Sequence, residues 1–195
     1  TTLPVPGTLV NIKVGDLDGD KKPEIAVTQL LGASVSIFKN QCTPAKIKFA
    51  TPQNITTDDR PWDLDFGDVD GDGKPEIMVA SITQKSLTIL NNESTAGTFS
   101  FTKTIVSTTF INRHVKMGDM DGDGKPDITF TSVDDNNLGV PASKISIIRN
   151  VACMTPEILP AGPVTICSGF TLRLFATNGS GVTYEWKKDG ALMAS

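Results

Sequence analysis

The sequence predicts an all-β fold, and two observations lead to that prediction. Apolar and polar residues alternate over short segments that are rich in β-branched and aromatic side chains. This period of two is typical of strands, and no segment shows a sustained helical period. The second observation is an internal repeat, because units that recur at a fixed spacing are typical of repeat architectures.

Three acidic loops mark this repeat. They begin at Asp16, Asp68 and Asp119, which lie 52 and 51 residues apart. An alternating stretch precedes each loop, as "NIKVGD", "DLDFGD" and "HVKMGD". Two more stretches follow each loop: "EIAVTQ" and "SVSIFKN", "EIMVAS" and "SLTILNN", and "DITFTS" and "KISIIRN". A weaker fourth segment ends the first two repeats, as "KIKFATPQNIT" and "FSFTKTIVS".

Four short antiparallel strands per repeat predict the blades of a β-propeller, with a solenoid of longer repeats as the alternative. We expect three blades in residues 1–152, at about 1–50, 51–104 and 105–152. Residues 153–195 predict a linker and the N-terminal part of an immunoglobulin-like domain. In that segment "TLRLFA" and "VTYEWKKDG" flank the turn "NGSG", and Cys167 precedes Trp186. Such a domain needs ~100 residues, so we expect a truncated one.

The acidic loops are the candidate metal-binding segments. The stretch "GDVDGDGKPEI" places four carboxylates within nine residues, and these charges repel one another unless a cation lies between them. Counted from the first aspartate, carboxylates occupy positions 1, 3, 5 and 9 of every loop. Oxygen ligands in such number suit calcium, which binds roughly 6–8 oxygens, and no loop contains the His or Cys that zinc or copper prefers.

Two further loop positions matter for this interpretation. Position 7 is lysine followed by proline in every loop, so we assign its backbone carbonyl as a ligand. Glycine at positions 4 and 6 allows the positive φ angles of a tight loop, but Lys21 replaces it at position 6 of the first loop, where we expect weaker binding. The predicted ligands are Asp16, Asp18, Asp20, Lys22 and Glu24; Asp68, Asp70, Asp72, Lys74 and Glu76; and Asp119, Asp121, Asp123, Lys125 and Asp127.

An EF-hand also begins with alternating aspartates, but this alternative fails. It requires a bidentate glutamate at position 12 and flanking helices. Position 12 is Val27, Val79 and Phe130 in the three loops, and the flanking segments alternate like strands.

The repeats resemble FG-GAP repeats (VCBS or integrin α-like), the calcium-loop blades of integrin α-subunit propellers and of many secreted bacterial proteins. The resemblance covers about Leu9 to Asn150. It implies ligands at positions 1, 3, 5, 7 and 9, three calcium ions per chain, and a secreted or cell-surface location. Three blades cannot close a ring, so we expect further blades in the native polypeptide, association of chains, or an open arc.

Composition restricts the partners. The three loops hold 12 of the 22 acidic residues, and three divalent cations would change the net charge from −4 to +2. The sequence shows no basic cluster for nucleic acid and no apolar run of the ~20 residues that span a bilayer. The odd number of cysteines, Cys42, Cys153 and Cys167, indicates either a disulfide partner outside this sequence or three buried thiols.

The sequence favours a non-catalytic function. His114 is the only histidine, and it aligns with Asn11 and Asp63 of the other repeats at a polar strand position. Neither a nucleophile elbow nor a glycine-rich phosphate loop is present. We expect an extracellular binding or adhesion module that contacts protein or glycan. The alternative is a non-catalytic accessory part of a larger secreted polysaccharide-degrading enzyme.

Overall fold

A computed structural model describes residues 2–5, 7–133 and 143–151, together with the backbone of four short segments at 158–159, 175–176, 187–188 and 191–192. The chain divides into two compact units, Thr1–Asn150 and Val151–Ser195. The described residues form three antiparallel sheets in the first unit and two short strand pairs in the second. The all-β prediction is therefore confirmed for these residues.

The first sheet contains four strands that follow one another in chain order. They are β1 (Leu9–Gly15), β2 (Glu24–Gln29), β3 (Ser34–Phe38) and β4 (Gln53–Thr56). The acidic loop joins β1 to β2, and the pair Gly15 and Glu24 closes its base. Position 9 of the loop is therefore also the first residue of β2, which ties the loop to the sheet.

The second sheet repeats this arrangement with β5 (Pro61–Gly67), β6 (Glu76–Ser81), β7 (Ser86–Asn92) and β8 (Phe101–Ser107). The third sheet contains β9 (Ile111–Gly118), β10 (Asp127–Val133) and β11 (Ser143–Ile148), with β10 in the centre. Four strands were predicted here, and the described residues supply three. The fourth strands of the first two sheets, β4 and β8, come from segments with a weak alternating pattern. In the third repeat, the segment that follows "KISIIRN" has no comparable pattern.

The fourth segment of the first repeat forms less strand than its pattern predicts. Of "KIKFATPQNIT" only Gln53–Thr56 lies in the sheet. Lys46 and Phe49 form isolated bridges to Thr43 and Asn40 instead. Ile47 of this segment remains 63% exposed, so burial does not favour a regular strand there.

Two apolar clusters hold the three sheets together. The first combines Ala26, Val35 and Ile37 of the first sheet with Leu64, Val79 and other residues of the second. The second cluster combines residues of the second and third sheets: Met78, Ala80 and Leu87 with Val115, Ile128 and Phe130. Because the middle sheet packs on both sides, every residue of β6 is buried.

The second unit contributes β12 (Ile158–Leu159), which pairs with β13 (Phe175–Ala176), and β14 (Lys187–Lys188), which pairs with β15 (Ala191–Leu192). Cys153, Cys167 and Trp186 lie outside the described residues. The immunoglobulin-like interpretation of this segment therefore stays a prediction.

Leu64 tests the packing between sheets, and Ile12 supplies a matched control. They occupy equivalent positions of β5 and β1, but Leu64 is 1% exposed and Ile12 is 60% exposed. We expect Leu64→Ala to lower the free energy of unfolding by about 2–5 kcal/mol, because it removes buried apolar contacts. Ile12→Ala should cost less than about 1 kcal/mol. Denaturant unfolding of both variants measures the difference, and equal losses would contradict the packing described above.

Candidate metal centre

The structure brings three carboxylates of each acidic loop together. We call residues 16–24, 68–76 and 119–127 loops 1, 2 and 3. In each loop the oxygens of positions 1, 3 and 9 lie within 4.8 Å of one another. The three groups are Asp16, Asp18 and Glu24; Asp68, Asp70 and Glu76; and Asp119, Asp121 and Asp127. The carboxylate of position 5, also a predicted ligand, is not part of these groups, and the backbone carbonyl predicted at position 7 is not a side-chain ligand of the kind they contain.

Hydrogen bonds within each loop turn the aspartates inward. In loop 2, Asp68 at position 1 accepts the backbone N–H groups of Gly71 and Gly73, at 2.7 and 2.9 Å. Asp70 accepts the N–H of Asp72, which in turn accepts the N–H of Lys74. Loops 1 and 3 form the same set of bonds. Position 5 therefore stabilises the loop through the amide of position 7.

The carboxylate at position 9 is buried under the loop. Glu24, Glu76 and Asp127 are 0%, 1% and 1% exposed. One oxygen of each accepts the N–H of position 2, at 2.9, 2.7 and 3.0 Å. Burial raises the pKa of Glu24 and Glu76, although backbone hydrogen bonds partly oppose this effect. A bound cation would stabilise the ionised form of these side chains.

Lysine and arginine side chains from outside the loop partly neutralise loops 1 and 3, whereas in loop 2 the loop's own Lys74 pairs with Asp72 at 3.6 Å. Lys39 bonds Asp18 at 2.6 Å, and Arg149 pairs with Asp121 and, at 3.8 Å, with Asp123. Burial alone would raise the pKa of Asp18, but the bonds from Lys39 and from backbone amides lower it overall. Lys39 and Arg149 each stand one residue before the asparagine that ends the third alternating stretch, and Asn91 holds this position in the second repeat.

Three asparagines outside the predicted ligand sets support these loops. They are Asn40, Asn92 and Asn150, and each follows or ends the third strand of its repeat. Their backbone N–H groups donate to the second oxygen of the position-9 carboxylate, at 3.3, 3.4 and 2.8 Å. The recurrence of asparagine at the end of "SVSIFKN", "SLTILNN" and "KISIIRN" was the available signal.

Two of these asparagines also connect neighbouring repeats. Asn92 donates through Nδ2 to the carbonyl of Pro75 in loop 2 and to that of Leu17 in loop 1, both at 2.9 Å. Asn150 donates to the carbonyl of Val69 in loop 2 at 2.7 Å. Each acceptor in the preceding loop is position 2, which lies between two of the grouped carboxylates. The loops are therefore joined to one another through the sheets.

Position 6 of loop 1 has the strained geometry that its sequence predicts. Lys21 has φ of 68°, close to the 86° and 85° of Gly73 and Gly124 at the same position. Glycine adopts this left-handed conformation without steric cost, whereas a residue with a Cβ atom is strained there. The expectation that the first loop is strained at this position is confirmed.

The donor set of each loop fits a hard divalent cation. Each group offers three carboxylates, and backbone carbonyls lie in the same short loop. Calcium prefers such oxygen ligands and tolerates irregular geometry, whereas magnesium demands a near-ideal octahedron. The residues present therefore fit calcium better than they fit zinc, copper or magnesium.

His114 lies away from these loops, in β9, with 58% of its side chain exposed. Its Nδ1 atom is 3.5 Å from the buried carboxylate of Asp63 in the neighbouring sheet. Asp63 also accepts the N–H of Val115 at 3.0 Å and a bond from Lys116 at 3.0 Å. The carboxylate is thus occupied in joining β5 to β9, which is a structural role.

Lys21→Gly tests the strain in loop 1. The change should tighten calcium binding to this loop by about 1 kcal/mol, because it relieves the left-handed strain and removes a positive charge near the carboxylates. Gly73→Lys should weaken loop 2 for the same reasons. Calorimetric titration of both variants with calcium measures the effect. Weaker binding by Lys21→Gly would mean that the φ angle at position 6 does not limit affinity.

Asn92→Ala tests the connection between loops 1 and 2, and Asn40→Ala is the matched control. Both side chains bond their own loop and the amide two residues later, but Asn92 additionally bonds Leu17 in the preceding loop. Asn92→Ala should cost about 1–3 kcal/mol of stability, because it leaves buried carbonyls without a donor. Asn40→Ala should cost clearly less. Equal losses in denaturant unfolding would show that the bond to Leu17 contributes little.

A comparison with protein families assigns the repeat. The model of the FG-GAP-like repeat matches residues 16–79 and 71–130, which together contain all three acidic loops from Asp16 to Asp127. A search of curated proteins found no match.

Proposed function

The chain belongs to the FG-GAP-like repeat family, and from this membership we propose that it is a calcium-stabilised, non-catalytic binding module of a secreted or cell-surface protein. The observation that carries the proposal is the threefold occurrence of one carboxylate group in one structural context. We propose three calcium ions per chain, one in each loop. No helix in the described residues is long and apolar enough to cross a membrane.

The ligands in each loop would be the carboxylates of positions 1, 3 and 9, with position 5 and the carbonyl of position 7 completing the set. Calcium would supply positive charge among carboxylates that otherwise repel one another. Calcium would also stabilise the sheet through the buried carboxylate of position 9. This carboxylate would bind the ion and also accepts two backbone N–H groups. Calcium would therefore act as a structural ion.

We propose that the three sheets are blades of a propeller. The first strands of the three repeats lie side by side, since Asp63 of β5 bonds Asn11 of β1 and Val115 of β9. The first strands of propeller blades are arranged in this way around a central axis. Three blades leave sheet faces at both ends, which further blades or a second copy would cover.

Binding of a protein or glycan, rather than catalysis, fits the described residues best. The carboxylates of the loops are engaged with backbone amides or cations, and Asp63 is engaged by β9. A cavity of about 250 Å³ beside Ser107 and Phe110 has no ionisable side chain in its lining. We propose that ligands contact the connections between strands, as in other binding modules with loops on a rigid scaffold.

Removal of calcium should destabilise the protein strongly. A site that is saturated at 100 times its dissociation constant contributes about 2.7 kcal/mol, and three sites add. Metal analysis of protein purified in calcium should give three ions per chain, and excess chelator should lower the melting temperature. Chelator already saturated with calcium is the control. An unchanged melting temperature, or fewer than two ions per chain, would contradict the proposal.

The binding role has its own test. The protein is applied with calcium, and again with chelator, to arrays of extracellular matrix proteins and of glycans. We expect a ligand that binds saturably in calcium and no longer binds with chelator. Without calcium the carboxylates within each loop repel one another, and this repulsion should disturb the connections between strands that contact the ligand. Turnover of a glycan substrate instead would favour an enzymatic role.

A further inference from the structure

Each junction between sheets is built around one apolar side chain of the first strand. Leu64 of β5 packs with Ala26 and Val35 of the first sheet. Val115 of β9 packs with Met78, Ala80 and Leu87 of the second sheet. Leu64 and Val115 are equivalent in the repeat, and so are Ala26 and Met78, and Val35 and Leu87. The same contact therefore occurs twice.

The third sheet presents the equivalent surface, with threonine in place of Met78 and Ala80, and no strand among the described residues covers it. Thr129, Thr131 and Ile145 correspond to Met78, Ala80 and Leu87 of the second sheet. They line a cavity of about 110 Å³, which His114 and Lys116 flank. Ile145 is 79% exposed and Ile147 is 57% exposed, whereas Val35 and Ile37 at these positions of the first sheet are fully buried.

At each junction, hydrogen-bond donors of one first strand face carboxylates of the neighbouring first strand. At the first junction Asn11 bonds Asp63, and Lys13 pairs with Asp65. At the second junction the same two carboxylates accept bonds from β9, through the N–H groups of Val115 and Met117 and through Lys116. The middle strand thus provides the acceptors for both of its neighbours.

The third sheet again presents donors at these positions. His114 and Lys116 of β9 are equivalent to Asn11 and Lys13 of β1. His114 and Lys116 lie 3.5 and 3.0 Å from Asp63, but both side chains remain more than half exposed, at 58% and 60%. A strand that fills the cavity would complement these exposed donors if it carried acceptors on both sides of its apolar residue, as Asp63 and Asp65 do around Leu64.

Resting on the blade arrangement proposed above, we propose that the open face of the third sheet docks an extended acidic strand of a separate repeat, with a branched aliphatic residue between two carboxylates. The aliphatic residue enters the cavity beside Ile145, and the carboxylates face His114 and Lys116. A second copy of this chain fits poorly. Its free first strand carries Asn11, Ile12 and Lys13, which would place Lys13 against Lys116 without an acceptor.

The probe is a capped peptide with the sequence of residues 60–67, "RPWDLDFG", added to the intact chain in calcium. Two control peptides replace both aspartates with asparagine or with lysine. Methyl NMR of Ile145 and Ile147 reports binding at the cavity, and the salt dependence of the affinity reports its electrostatic part. We expect saturable shifts with the aspartate peptide, weaker shifts with the asparagine peptide, and at least ~10-fold weaker binding of the lysine peptide.

Variants locate the surface. Ile145→Asp should abolish peptide binding without unfolding the protein, because this side chain is largely exposed. Ile12→Asp places the same change on the exposed face of the first sheet and should leave peptide binding unaltered. Equal binding of the aspartate and lysine peptides, no binding of either, or retention of binding by Ile145→Asp would overturn the proposal. A wild-type dimer in sedimentation that Ile145→Asp dissociates would overturn it in favour of a second copy.

Discussion

The structure depends on the buried carboxylate that ends each acidic loop. Glu24, Glu76 and Asp127 are each the first residue of a strand and the last carboxylate of a loop, and almost no part of them reaches solvent. Ionised carboxylates are costly to bury unless charge and hydrogen bonds compensate. Backbone amides from two sides provide the hydrogen bonds, and the calcium ion proposed for each loop would supply further compensation. The stability of the loop and that of the sheet are therefore coupled through this carboxylate.

A second set of carboxylates organises the contacts between sheets. Asp63 and Asp65 lie on β5, between the first and third sheets, and both are almost fully buried. They bond side chains of β1 on one side and backbone amides of β9 on the other. Buried carboxylates therefore have two structural roles: those at position 9 hold the acidic loops, and those of β5 align the neighbouring first strands.

Local sequence patterns predicted most of the strands and the carboxylate groups. The period of two located β1 to β3, β5 to β8 and β9 to β11, because alternation reflects the burial of one face and needs no knowledge of the partner strand. Positions 1, 3 and 9 were predictable because a short loop confines them. The left-handed backbone at position 6 followed from the glycines of loops 2 and 3, and Lys21 shares it.

What the sequence by itself determined is therefore local: the strands, the acidic loops and the spacing of their carboxylates. The tertiary structure alone decided which residues support the loops and which strand is missing from the third sheet of the described residues. Asn92 reaches a carbonyl 75 residues away, and Asn150 reaches one 81 residues away, so no local pattern reveals these bonds. It also decided that Ile12 is exposed while the equivalent Leu64 is buried. The physical reason is that burial depends on a neighbouring sheet, whereas strand formation and loop geometry depend on adjacent residues.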